Sequence, residues 1–204
     1  GVFDAVHGGF SRYAVDAEWH IPHFEKMGYD NGQLISLYAQ AHREEPKALY
    51  QETIDKTISF LKKELYAPEG GFYAALDADS LNANQKLVEG AFYVWTKNEI
   101  QELFPKEYLQ VAAYYAINDD GYWEEGNYVL RRMQTDEVFA KLHGLELSEL
   151  KVKVIRWNVT LLKERNKRAR PRLDDKIICS WNAILSSGFL DAYRSFGDSA
   201  YKDL

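Results

Sequence analysis

A constant offset relates two stretches of the chain. Asn31, Leu34, Tyr38, Ala41, Arg43 and Tyr50 recur as Asn182, Leu185, Phe189, Ala192, Arg194 and Tyr201, each pair 151 positions apart. The shared residues fall at helical spacing, so the repeating unit is a helix with one apolar face. A chain that uses such a unit twice is constrained to an array whose neighbouring units bury a common core. After the first copy the pattern runs on through Gln51 to Leu61 as a second amphipathic helix, whereas the later copy reaches Leu204 where that partner is due. The expectation is an incomplete set of helical hairpins belonging to a longer protein. Its C-terminal helix, around Trp181 and Phe189, should then bare apolar surface and favour self-association.

Helical spacing also appears in Ile54, Ile58, Leu61 and Leu65, in Ile100, Leu103 and Phe104, in Val152, Ile155, Val159 and Leu162, and in Trp181, Leu185, Gly188 and Ala192. Pro46 opens the second helix, and Pro68 with Gly70-Gly71 lies past its end, the usual asymmetry of helix punctuation. Thr96 and Ser148 are the expected N-caps. Three glycine-aromatic loops intervene: Gly8-Gly9-Phe10, Gly70-Gly71-Phe72 and Gly121 to Asn127. Each adjoins a helix rather than a strand, so a phosphate-binding βαβ unit is disfavoured. The stretches Gly90 to Trp95 and Asn127 to Leu130 read as small β-hairpin pieces. The fold class is therefore mainly all-α: one domain over 1–204, a partial α/α toroid of helical hairpins with short β-hairpins in its loops. Function is expected at the loop-lined rim of a cavity.

Composition narrows the partners. With 46% hydrophobic residues in 204 there is ample material for a core, and a net charge of −6 disfavours nucleic acid and anionic membrane. The exception is the basic run from Lys163 to Arg172, which reads as a solvated helix end stopped by Pro171. The one cysteine, Cys179, cannot form an internal disulfide and reads as a buried structural thiol. That favours a reducing, cytoplasmic setting. No signal peptide or membrane span is visible, and Gly1 reads as an N-terminus cut from something longer. His20, His23 and Glu25 invite a metal reading, but Pro22 breaks the helical face and no third strong ligand follows; no metal or cofactor is expected.

Five strings carry a resemblance: Gly8 to Asp16, Trp19 to Asn31, Gly70 to Ser80, Glu89 to Trp95, and Arg170 to Asn182. In order and over almost the whole chain they resemble the spermatogenesis-associated protein 20 family. The resemblance implies a thioredoxin-like domain upstream of Gly1 and a toroid similar to six-hairpin glycosidases and N-acylglucosamine 2-epimerases, of which this chain is about half. It implies no reaction.

Chemistry is therefore sought in the residues. Carboxylates concentrate in the motif strings: Asp16, Glu25, Asp30, Asp77, Asp79, Glu89, Asp174 and Asp175. Glycoside hydrolysis needs two, a protonated donor in apolar surroundings and an ionised partner. Asp79 or Glu89, flanked by Phe72, Phe92, Tyr93 and Trp95, is the expected donor, and Asp175 or Asp30 the partner. His23, oriented by Glu25 or Asp30, is the competing base for sugar epimerisation. Trp19, Phe72, Trp95, Trp181, Lys176 and Asn182 complete the expected substrate-binding set. The partner is a small molecule, possibly a sugar; the alternative is a non-catalytic binding module attached to a thioredoxin-like domain.

Overall fold

The computed structural model describes residues 1–203. In chain order the elements are β1 (Tyr13–Ala14), β2 (Pro22–His23), β3 (Lys26–Met27), α1 (Gly28–Glu44), α2 (Ala48–Glu64), β4 (Ala75–Leu76), β5 (Asp79–Leu81), β6 (Leu87–Glu89) and β7 (Trp95–Thr96). They continue with α3 (Lys97–Leu103), α4 (Tyr108–Tyr114), β8 (Asn127–Tyr128), α5 (Asp136–Leu142), α6 (Leu147–Arg165), β9 (Leu173–Asp174), α7 (Cys179–Phe196) and a 3-10 turn at Ser199–Tyr201. The fold class is mainly helical with short β pairings. Residues group into two compact units, each assembled from separate stretches. A hairpin unit comprises Gly1–His7, Tyr13–His23 and Asp79–Arg170, and a repeat unit comprises Gly8–Arg12, Phe24–Ala78 and Pro171–Leu204.

In the repeat unit the two sequence copies are α1 and α7, and they lie side by side. Ser36 donates to Asp191 at 2.9 Å and Ser195 to the Ala39 carbonyl at 2.9 Å. Ile35, Ala39, Ile54, Leu61, Leu185, Phe189 and Ala192 form the shared core, the burial that a single amphipathic helix cannot achieve alone. Phe189 is thus not the bare surface expected of it. It is 4% exposed and its ring centroid lies 5.5 Å from that of Phe72, because α1 and the Phe72 loop cover the face that a following helix was expected to cover.

The repeat also has a polar signature. Asn31 accepts from the Phe10 N–H at 2.7 Å and donates to the carbonyls of Phe10 at 3.1 Å and Met27 at 2.8 Å. Asn182 does the same to Phe72: it accepts from its N–H at 2.7 Å and donates to Phe72 O at 3.0 Å and Ile178 O at 3.1 Å. Each Gly-Gly-Phe loop is therefore clamped by the asparagine of one helix copy. The glycines are needed there, since Gly71 has φ 82° and a Cβ would stand 3.0 Å from Asn182 Oδ1. We expect Asn182→Ala to cost about 1–3 kcal/mol, the scale for orphaning buried backbone groups. Urea unfolding checks this; an unchanged midpoint would show the clamp to be dispensable.

In the hairpin unit α6 presents Leu150, Val154, Trp157 and Leu161 to a core with Ile100, Val111, Tyr115 and Phe139. Of the apolar residues read at helical spacing here, Leu162 packs against this core, whereas Val152, Ile155 and Val159 are exposed. Helix α6 is apolar on two sides, and the side carrying Trp157 and the leucines removes more area from water. Thr96 caps α3 in a reciprocal box with Glu99, as its position suggested. Ser148 does not cap: α6 already begins at Leu147 with Glu146 at the N-cap.

The basic run is also corrected. Helix α6 ends at Arg165, well before Pro171, and two of its arginines are structural rather than solvated. Arg165 is 2% exposed and pairs with Asp4 at 2.7 Å. Arg168 donates to the carbonyls of Ala91, Phe92 and Val94 and to Glu99 at 2.8 Å, and it lies 4.1 Å over the Trp95 ring. Burial pulls its guanidinium below the ordinary value while Glu99 opposes this. Cys179, expected to be buried, is exposed at the first residue of α7. No helix among the described residues is long and apolar enough to cross a membrane.

Candidate functional site

Three of the five expected catalytic residues meet in the hairpin unit. Strands β5 and β6 pair antiparallel with Asp79 opposite Glu89, which puts both carboxylates on one face with Cβ atoms roughly 5 Å apart. His23 ends β2, and its Nδ1 lies 2.7 Å from Glu89 Oε1. Tyr13, its cross-strand partner in β1, stacks on the imidazole with centroids 4.9 Å apart and planes at 17°. The orienting acid is therefore Glu89 rather than Glu25 or Asp30. A carboxylate at Nδ1 orients the ring and favours the tautomer that carries its proton on that nitrogen.

Glu89 keeps this position because the turn behind it is anchored. Gly90 has φ 71°, and the carbonyls of Ala91 to Val94 receive Arg165 and Arg168. Glu89 also borders a cavity of 520 Å³ that Trp123, Glu124, Asn127, Glu99 and Arg168 help to line. The Glu89 side chain is 41% exposed and hydrogen-bonded, so the apolar setting expected of a proton donor is absent. Trp95, 1% exposed, lies beneath Arg168 and packs the core instead of offering a stacking face. Trp19 is 68% exposed with φ 55°. Its turn is held by Asp16, which accepts from the backbone N–H groups of His20 and Ile21. Burial works to raise the Asp16 carboxyl, but these bonds hold it below its ordinary value.

The other expected residues lie in the repeat unit. Glu25, Asp77, Arg172, Asp174, Asp175 and Lys176 line a cavity of 320 Å³ beside the sheet β3-β4-β9. Lys176 is bound to Asp174 at 2.8 Å and is 71% exposed. Trp181 packs edge-on against Tyr29 at 4.6 Å. Phe72, 4% exposed, is core, and Asn182 is engaged in the clamp described above. Among the described residues no group of three or more His, Cys, Asp or Glu is placed to hold a metal ion.

Asp30, in the first turn of α1, was with Asp175 one of the two residues expected as the ionised partner. Burial raises its carboxyl above the ordinary value, Arg12 opposing and Glu25 adding to the shift, and its Oδ2 is buried without a hydrogen-bond partner among the described residues. An acid more readily protonated when folded lends stability that is complete at low pH and is lost as pH rises through the folded value. Asp30→Asn should therefore raise Tm relative to the parent at about pH 8 and change it little near pH 3, below the ordinary Asp range. A difference independent of pH in thermal denaturation would contradict the assignment.

No family model matches the chain. It is 37% identical to an uncharacterized protein of Caenorhabditis elegans over 229 aligned positions, covering 100% of this chain and 30% of that protein. It is 32% identical to human spermatogenesis-associated protein 20 over 209 positions, covering 93% of this chain and 27% of that protein. The chain belongs to the spermatogenesis-associated protein 20 family. It spans less than a third of the length of these relatives. Among solved structures, a cellobiose 2-epimerase from Spirochaeta thermophila aligns with 100% of the chain and 46% of its own at 15% identity and TM-score 0.35. A family 76 glycoside hydrolase from a bovine Bacteroides thetaiotaomicron strain aligns with 99% of the chain and 37% of its own at 13% identity and TM-score 0.37. Likenesses of this size carry no argument about chemistry.

The loop from Gly121 to Asn127, expected at a cavity rim, does line the cavity through Trp123, Glu124 and Asn127, whereas the pairing of Glu89 with His23 and the place of Trp123 in a ligand cavity were not expected. The string from Gly121 to Asn127 was the available signal, since two carboxylates and a tryptophan between glycines suit a loop that turns polar groups into a cavity.

Proposed function

We propose that the chain supplies a small-molecule site that moves a proton on a sugar, in the manner of an epimerase, and that its helical hairpins belong to an α/α toroid. The observation that carries the chemistry is the 2.7 Å bond between His23 Nδ1 and Glu89. An imidazole so oriented can take the proton from the carbon beside a sugar carbonyl, leaving an enediolate, and reprotonation of the opposite face gives the epimer. The neighbouring cavity suits a hydroxylated ligand: Trp123 offers an aromatic face, and Asn82, Gln85 and Asn127 offer amides.

The test is a thermal-shift titration of the full-length protein with aldoses, ketoses and uronates. Binding stabilises by RT ln(1 + [L]/Kd), so a saturable rise in Tm that Trp123→Ala diminishes is expected. No shift with any sugar would count against the reading. The pairing of Asp79 with Glu89 favours a second reading, glycoside hydrolysis by two carboxylates. Release of reducing ends that Asp79→Asn abolishes and His23→Gln spares would select it.

A further inference from the structure

An imidazole that is to move a proton must be fixed in two respects, the direction of its edge and the tilt of its plane. Rotamer preference fixes neither tightly, because the second torsion of a histidine joins an sp3 to an sp2 carbon and its wells are broad. In His23 the edge is set by Glu89, whose Oε1 lies 2.7 Å from Nδ1. One such bond leaves the ring able to tilt about the line joining Nδ1 to Oε1. The Tyr13 ring removes that freedom: it lies along the imidazole face, with centroids 4.9 Å apart and planes at 17°.

The backbone imposes this stack. Tyr13 and His23 stand directly opposite each other in the β1–β2 pair, so their side chains leave the same face with Cβ atoms about 5 Å apart. Beyond them the Val15 N–H donates to the Ile21 carbonyl at 2.9 Å. Asp16 accepts from the backbone N–H of His20 at 3.0 Å and from that of Ile21, which clasps the turn and holds the register. A slip of one residue would send Tyr13 to the other face. Core filling does not account for the ring, since Tyr13 is 48% exposed.

We propose that Tyr13 is a positioning residue for His23: its aromatic face fixes the plane of the imidazole while Glu89 fixes the edge, and the two together aim Nε2. The role belongs to the ring and not to the phenolic hydroxyl. Its consequence for turnover rests on the proton-transfer reading above, whereas the orientation of the ring does not.

The test is NMR of the full-length protein labelled with 13C,15N-histidine, at about pH 8, above the ordinary imidazole range, with His23→Gln to identify the resonances. In the parent the ring C–H protons of His23 should lie upfield, shielded by the Tyr13 ring, and the nitrogen shifts should show one dominant tautomer. Tyr13→Phe should keep both features. Tyr13→Val, which suits a strand and removes the ring, should lose the upfield displacement and mix the tautomers while the other histidine resonances stay in place. Deuterium uptake from D2O by a panel of the common D-hexoses should fall about tenfold or more in Tyr13→Val and hold in Tyr13→Phe, because small displacements of a reacting group cost rate steeply. Uptake in none of the proteins, with the spectra as expected, would sink the proton-transfer reading and leave the positioning in place. Parent-like spectra or undiminished uptake in Tyr13→Val would overturn the proposal, and so would a Tyr13→Phe that behaves like Tyr13→Val, by giving the role to the hydroxyl.

Discussion

Replacing Arg165 with methionine should cost about 3–5 kcal/mol, the range for removing one partner of a buried ion pair. Its guanidinium is 2% exposed and the Asp4 carboxylate 7% exposed, at 2.7 Å, so the substitution leaves a charge in the interior of the hairpin unit with its main counterion gone. A contact with the Tyr93 carbonyl at 3.4 Å is lost as well. Desolvating the two ions offsets most of what their attraction returns, so the pair as a whole is worth far less than breaking it costs. The double variant Asp4→Leu with Arg165→Met should accordingly regain much of the loss. Urea unfolding of the three variants measures this. A single variant as stable as the parent would mean that the pair is not held in the interior.

Gly188→Ala should lower Tm by several degrees, although alanine is the better helix former by about 1 kcal/mol. A Cβ at Gly188 would stand 2.5 Å from the Gly32 carbonyl oxygen, and one at Gly32 would stand 2.9 Å from Leu185 Cα. Both obstacles are backbone, so α1 and α7 would have to separate. Overpacking of this kind costs about 1–3 kcal/mol or more, and each kcal/mol lowers Tm by about 2–4 °C in a chain of this size. Ser187→Ala, on the exposed side of α7, serves as the comparison and should not lower Tm. Equal midpoints for Gly188→Ala and the parent would contradict the close crossing of the two helices.

The contrast between these sites shows what the sequence makes legible. The kinship of α1 and α7 could be read because both copies keep the same apolar spacing over the same length. The clamp could not: Asn31 reaches a loop 21 residues before it and Asn182 one 110 residues before it, so the two halves of the motif recur at different separations. The same holds for His23 and Glu89, 66 residues apart and joined only by the ends of two short strands. Local chemistry offered Glu25 and Asp30 as nearer partners for the histidine. Helix α6 misled for another reason, since helical spacing identifies an apolar face without saying which of two faces is buried. Trp95 and the basic run misled through residue type: an aromatic beside carboxylates and a cluster of arginines look like surface chemistry, yet here Arg168 stacks on the tryptophan and gathers the carbonyls of a turn.

The account turns on His23 as a base held by Glu89. The direct measurement is deuterium uptake from D2O at the carbon beside the carbonyl of a sugar that the full-length protein binds, followed by proton NMR in the parent, His23→Gln and Glu89→Gln. Uptake in the parent that falls about a hundredfold or more in His23→Gln, the scale of general acid–base catalysis, and less steeply in Glu89→Gln, with sugar binding retained, is the predicted result. Uptake undiminished in His23→Gln, or none in a parent that binds the sugar, would contradict it.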